Sequence, residues 1–216
     1  MSSILKLFPW TNLFGTRRNF EGGYFTKEAE LIDKYLKKVN DVLVFGSGNG
    51  REARPIIDRA KRIVCFDIGL GYLLAGKKLC EFEGIKNISF VLADALHLPF
   101  PSDSFDFIFF SLYSCLKENR FIVISDIHRI LRKDGYVLLC CVMPSYPKAK
   151  KYGSVTFNSI DDSEREVNEY GFSLLEGAQD QKRPHYIFSI LCVNFVYVVA
   201  SQFKGLGPAN RGPDRG

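Results

Sequence analysis

The sequence is poor in the features that mark metal proteins, exported proteins and membrane spans. It has three histidines and six cysteines (Cys65, Cys80, Cys115, Cys140, Cys141 and Cys192), none in a CxxC or cysteine–histidine spacing, so no metal site is expected. Most of the cysteines sit inside apolar stretches such as Val64-Cys65-Phe66 and Leu139-Cys140-Cys141-Val142. A reduced thiol there behaves as a small hydrophobe, which fits a reducing compartment. No apolar run reaches the roughly 20 residues of a membrane span. The longest, Tyr186 to Ala200, is interrupted by Ser189 and Asn194. Thr16-Arg17-Arg18-Asn19-Phe20 looks like a twin-arginine signal, but Glu21-Gly22-Gly23 follows where an apolar stretch is required. The expectation is a cytoplasmic chain with no membrane span. Internal repeats, an RNP-type aromatic motif and a long basic stripe are all missing, so nucleic acid is not an expected partner.

What is present is an ordinary globular composition. With 216 residues, 46% hydrophobic and 25% charged, the chain suits one domain with a full core. The net charge of +5 permits an anionic partner without requiring one. Short β-rich runs alternate with helical patterns from residue 26 to 171, which predicts an α/β fold with parallel strands and helical crossovers. A helix follows Thr26 with Ala29, Ile32, Leu36 and Val39 on one face. Strands are predicted at Asp41–Phe45, Ile63–Asp67, Ile88–Leu92, Phe105–Phe110 and Tyr136–Val142, each nearly continuous in apolar residues, as strands covered on both faces are.

Gly84 closes the helix carrying Leu73, Leu74 and Leu79, and Gly135 closes the turn after Ile127, Ile130 and Leu131. Ser163-Glu164-Arg165-Glu166 has the form of a capping box opening a helix that Gly171 ends. Phe172–Glu176 and Phe195–Ser201 are the last predicted strands, and Tyr186–Cys192 is compatible with helix or strand. The domain spans 26–203, after an N-terminal segment 1–25 and before a tail 204–216, predicted to be disordered because Gly205–Gly216 is half Gly and Pro.

The chemistry is concentrated at strand ends. Val42-Leu43-Val44-Phe45 runs straight into Gly46-Ser47-Gly48-Asn49-Gly50, where glycines at alternate positions allow a sharp turn and close approach to a ligand. Asp67 ends the second strand, where an open α/β sheet presents a carboxylate to ribose hydroxyls, and Asp94 follows the third in Ala93-Asp94-Ala95. Each feature alone has a plain reading as a turn. Three strand ends in order, directed at one crevice, point to an adenosine-type ligand. A nicotinamide cofactor is disfavoured because Arg51 stands where that fingerprint needs its third glycine.

In these residues the chain resembles the class I S-adenosylmethionine-dependent methyltransferases, particularly the small-molecule type that includes quinone-biosynthesis enzymes. Also matching are Leu98-Pro99-Phe100, Ser104-Phe105-Asp106-Phe107-Ile108 and Arg129-Ile130-Leu131-Arg132-Lys133-Asp134-Gly135. The resemblance implies a three-layer Rossmann-like fold with a seven-stranded sheet, mostly parallel, whose last strand is antiparallel. It implies S-adenosylmethionine as cofactor and S-adenosylhomocysteine as product. Gly46, Ser47, Gly48 and Gly50 would line the methionine part and ribose edge, with Asp67 on the ribose hydroxyls and Ile68 beside it. Asp94 would accept from the adenine amino group, the Ala95 N–H would meet the ring, and Ser111 with Leu112 would face the sulfonium and acceptor.

Two positions depart from the family pattern. Val44 replaces the acid common two places before the first glycine, and Pro55 predicts that the helix after the loop starts late or bends. Methyl transfer needs few catalytic side chains, since positioning supplies much of the rate. His97 and Tyr113 are placed to serve as an optional base, although structural roles suit them better, and His128 reads as a packing residue. Ser111-Leu112-Tyr113-Ser114 lacks the Asn/Asp-Pro-Pro-aromatic motif of nucleic-acid and glutamine amino methylation, and no cysteine follows a proline as in cytosine C5 methylation. The expected acceptor is a small molecule, held under segment 1–25 as a lid and the insertion 143–161, which carries Tyr146, Tyr152, Lys148, Lys150 and Lys151. A catalytically silent binding protein and an RNA or protein methyltransferase are the competing readings, and no oligomeric state follows.

Overall fold

The computed structural model describes residues 26–111, 119–142, 160–182 and 193–202. Its elements are α1 (Thr26–Tyr35), β1 (Val39–Phe45), a 3-10 turn (Arg54–Ile56), β2 (Ala60–Asp67), α2 (Leu70–Glu83), β3 (Ile88–Leu92) and β4 (Phe105–Ser111). They continue with α3 (Arg120–Ile130), β5 (Leu131–Val142), α4 (Ile160–Glu169), β6 (Phe172–Lys182) and β7 (Val193–Gln202). The strands form one sheet in the order β3-β2-β1-β4-β5-β7-β6. From β3 to β5 every pairing is parallel, while β7 runs antiparallel to both β5 and β6. The expected α/β class with a mostly parallel sheet is therefore present.

Alternation along the strands divides the core into two layers. Leu43, Phe45, Val64, Phe66, Ile108, Phe110, Val137 and Leu139 pack towards Val123, Ile124, Ile127 and Ile130 of α3. Val42, Val44, Ile63, Cys65, Phe107, Phe109 and Leu138 pack towards Leu31, Ile32 and Leu36 at α1 and towards Ile56. Each of the four α3 side chains is at most 2% exposed, and such burial is worth about 1.5–3 kcal/mol per residue. Both faces of β1 and β4 are thus covered, which explains their unbroken apolar sequences.

A polar clasp closes the edge of the sheet where the parallel strands begin. The Asp106 carboxylate accepts the Asn40 and Asp41 N–H groups, both at 2.9 Å. Arg132 bridges Asp41 and Asp106 at 2.8 Å each. Burial pushes the Asp106 carboxyl up, but Arg132 and these two N–H groups hold it below the usual aspartate value. The clasp sits beside a bulge in which Phe105 pairs with Leu131 and Phe107 with Tyr136. A side chain on Gly135 would lie 2.8 Å from the Asp106 carbonyl oxygen, so this glycine serves a close approach of β5 to β4.

Several local expectations are corrected. Leu131 opens β5 instead of extending the helical face, and Gly135 lies within that strand. Val39 belongs to β1, Leu36 lies just past the end of α1, and Leu31 joins Ile32 on the buried side of that helix. The capping-box serine lies inside α4, which begins at Ile160 with Asp161 and Asp162 in its first turn, where acids complement the helix dipole. After the glycine loop only the turn Arg54–Ile56 forms, with Pro55 near its start, so the late or bent helix reduces to a single 3-10 segment. β6 extends to Lys182 and β7 from Val193 to Gln202, both longer than predicted. Gly84 does end α2, in the left-handed conformation.

Candidate functional site

The strand order places the ends of β3, β2, β1 and β4 side by side at one edge. Gly46, Gly48 and Gly50 leave β1 with φ of 67°, 53° and 87°. All three lie in the left-handed region that L side chains avoid, so the alternate glycines reflect a backbone requirement. The Ser47 N–H donates to the Phe66 carbonyl at 3.0 Å, holding the loop beside the end of β2. Nothing lies within 4 Å of the position a Gly48 Cβ would occupy, so the loop faces open space there.

Asp67 is the joint of the site. One carboxylate oxygen accepts the Gly48 N–H at 2.8 Å and the other the Gly69 N–H at 2.7 Å. Its carbonyl oxygen accepts the Ala93 N–H at 3.2 Å, drawing the loop after β3 to the same place. A carboxylate offers about four lone-pair sites, so two bonds to the backbone leave capacity for a ligand. Ile68, next in sequence, is 73% exposed, a large apolar side chain facing solvent beside Asp67.

Asp94 is exposed, and its carboxylate accepts the Leu96 N–H at 2.9 Å, so it also shapes its own turn. Ala95 beside it is half-buried. Ser111 ends β4 one residue past Phe110, the partner of Phe45, at the same edge as the glycine loop. Leu112 and Tyr113 lie outside the described residues, as do segment 1–25, the insertion 143–161, Tyr186–Cys192 and the tail from 204. His97 is exposed on the loop after β3. His128 packs edge-on to Phe172 at 5.2 Å, and burial lowers its pKa against an opposing hydrogen bond with the Gly171 backbone. It is a packing residue away from the crevice.

Sequence reasoning passed over Gly69 and Gly76. Gly69 caps α2 and donates to Asp67, while Gly76 lets α2 approach the carbonyl of the buried Asn49 in the glycine loop. The available signal was a glycine inside a helix, which costs about 1 kcal/mol relative to alanine and marks a close approach. Val44 also acquires a reason. It is fully buried in an apolar row, opposite Cys65 on one side and Phe109 on the other. Burial pushes the neighbouring Cys65 thiol well up, keeping it uncharged.

The residues suit an adenosyl ligand bearing a polar tail. The loop at Gly48 is open, and Asp67 retains acceptor capacity. Among the described residues no cluster of histidine, cysteine or acidic side chains could hold a metal ion, and no helix is long and apolar enough to cross a membrane.

Comparison with known proteins agrees with this geometry. Residues 43–139 match the family model described as a methyltransferase domain. A ubiquinone/menaquinone biosynthesis C-methyltransferase from Coxiella burnetii is 29% identical over 117 residues, covering 52% of this chain and 47% of the relative. A demethylmenaquinone methyltransferase from Thermobifida fusca is 28% identical over 111 residues, covering 50% and 45%. The chain therefore matches about half the length of these relatives. Among solved structures, an S-adenosylmethionine-dependent methyltransferase from Methanosarcina mazei superposes with a TM-score of 0.67 at 16% identity, covering 83% of this chain and 98% of the other. That likeness concerns the fold.

Proposed function

We propose, on the premise that residues 43–139 are a methyltransferase domain of the class I, Rossmann-like group, that the chain transfers a methyl group from S-adenosylmethionine to a small-molecule acceptor. The observation that carries this reading is the joint at Asp67, which ties the glycine loop to the end of β2 and keeps acceptor capacity beyond those two bonds. The order β3-β2-β1-β4-β5-β7-β6 with β7 reversed supports reading the sheet as the complete seven-stranded methyltransferase sheet.

In this reading Asp67 holds the ribose hydroxyls and Ile68 lies against the adenine. Asp94 accepts from the adenine amino group, and the Ala95 N–H meets the ring. Gly46, Ser47, Gly48 and Gly50 line the methionine part and ribose edge, and Ser111 faces the sulfonium and acceptor. When bound, S-adenosylmethionine supplies an electrophilic methyl group. The protein's contribution is to orient it: the left-handed glycines let backbone N–H groups approach closely, and the strand ends fix the direction in which the methyl is presented. The N-terminal segment 1–25 and the insertion 143–161 select the acceptor, the insertion lying past the matched domain residues. The relatives' names make quinone-type rings the first acceptors to test.

The test is incubation with methyl-labelled S-adenosylmethionine and, in parallel, hydroxylated aromatic and quinol compounds, total RNA and cell protein. Label in a small molecule is the expected result. Label confined to RNA or protein would replace the acceptor assignment.

A further inference from the structure

Phe90, in the middle of β3, stands between the glycine loop and α2. A Cβ on Gly50 would lie 3.4 Å from Phe90 Cε1 and 3.4 Å from Cys65 Sγ, so the third glycine of the loop rests on that ring and thiol. On the other side, a Cβ on Gly76 would lie 2.5 Å from Phe90 Cε1 and 2.8 Å from Cζ, and would also collide with the Asn49 carbonyl oxygen. Helix, ring and loop therefore meet with no room for one additional carbon. β3 is tied to this row through the Cys65–Phe90 pairing.

We infer that Phe90 and Gly76 form a bracket that sets the height of the glycine loop above the sheet, making both of them positioning residues for the S-adenosylmethionine site. The link to the cofactor rests on the function proposed above. The physical basis is local. Close-packed interiors transmit displacement because they have no spare volume. A methyl group at position 76 must push both the Asn49 carbonyl and the Phe90 ring. Asn49 lies between Gly48, bonded to Asp67, and Gly50, whose N–H donates to the Ser47 carbonyl at 2.9 Å. Moving it disturbs the loop at both bonds. The sequence retains a helix-weakening glycine at this contact, as expected where the backbone approach is needed.

The experiment compares wild type, Gly76→Ala, Phe90→Leu, the double variant, and Val123→Ala, which weakens the core on the opposite layer. Amide exchange is read at Gly50 and Ala53, whose N–H groups bond within the loop, against Leu43 in β1. S-adenosylhomocysteine affinity is read by calorimetry. Gly76→Ala should speed exchange at Gly50 and Ala53 but not at Leu43, and weaken binding by about ten-fold. Phe90→Leu should do the same by removing the support, and serves alone if Gly76→Ala does not fold. The double variant should be somewhat less impaired than the two effects combined, since the smaller side chain relieves the contact with the ring while the contact with the Asn49 carbonyl remains. Loop exchange and affinity no different from those of Val123→Ala would overturn the bracket while leaving the methyltransferase reading intact. A wild-type protein that binds no S-adenosylhomocysteine would overturn that reading, and with it the bracket's link to a ligand.

Discussion

Replacing Asp67 with alanine separates two roles of one carboxylate. Without ligand, the side chain accepts the Gly48 and Gly69 N–H groups at 2.8 and 2.7 Å. A hydrogen bond to a charged group contributes about 1.5–3 kcal/mol, but Asp67 is only half-buried and water can replace part of each bond. The net loss of stability should be about 1–3 kcal/mol, a fall in Tm of roughly 2–12 °C for a chain of this size. With ligand, the proposed role of Asp67 means that the variant also loses bonds to the ribose hydroxyls, together with the ordered position of Gly48. That should cost about 2–4 kcal/mol of affinity, roughly 30- to 700-fold. Thermal denaturation of the free protein measures the first quantity, and titration with S-adenosylhomocysteine below the new Tm measures the second. A variant with lowered Tm but wild-type affinity would show that Asp67 only shapes the turn. An unchanged Tm would contradict its role as the joint of the loop.

Three further outcomes follow from the same geometry. Ile68→Ala should leave Tm within about 1 °C, because the side chain is already 73% exposed, yet weaken cofactor binding by about 1 kcal/mol as apolar contact with adenine is lost; paired melting and titration would check this. Val44→Asp should not restore the family's acid: it places a carboxylate between Cys65 and Phe109 at a fully buried position and should cost about 3–5 kcal/mol in denaturant unfolding. His128 is held neutral by burial, so its folded pKa lies below the unfolded value near 6.5. Its contribution is complete above that value and lost as pH falls from it towards the folded pKa, so His128→Gln should flatten the fall of Tm as pH drops below about 6.5.

The strand ends were legible because their signals are local. A continuous apolar run stopped by glycine or aspartate marks both a buried parallel strand and the residue standing at its exit, as at Phe45-Gly46, Phe66-Asp67 and Leu92-Ala93-Asp94. What escaped depends on partners distant in sequence. Asp106 and Arg132 match family motifs, yet they lie at the opposite edge from the glycine loop, clasping Asp41 across separations of 65 and 91 residues. Arg129 is likewise structural, donating to the Phe100 carbonyl at 2.7 Å. Periodicity carries no information about such pairs. The capping-box pattern misled for the converse reason, since four residues can fit a local template while the helix around them begins earlier at Ile160. Gly76 was visible in the sequence, but only the structure names Asn49 and Phe90 as what it avoids.

The most direct test of the account is calorimetric titration of the full chain with S-adenosylmethionine, S-adenosylhomocysteine and NADH. Saturable binding of the first two at a one-to-one ratio, with none of the third and with a matching rise in Tm, is the predicted result. Binding of NADH alone, or of no adenosyl compound at all, would contradict the assignment of the crevice formed by Gly46–Gly50, Asp67 and Asp94.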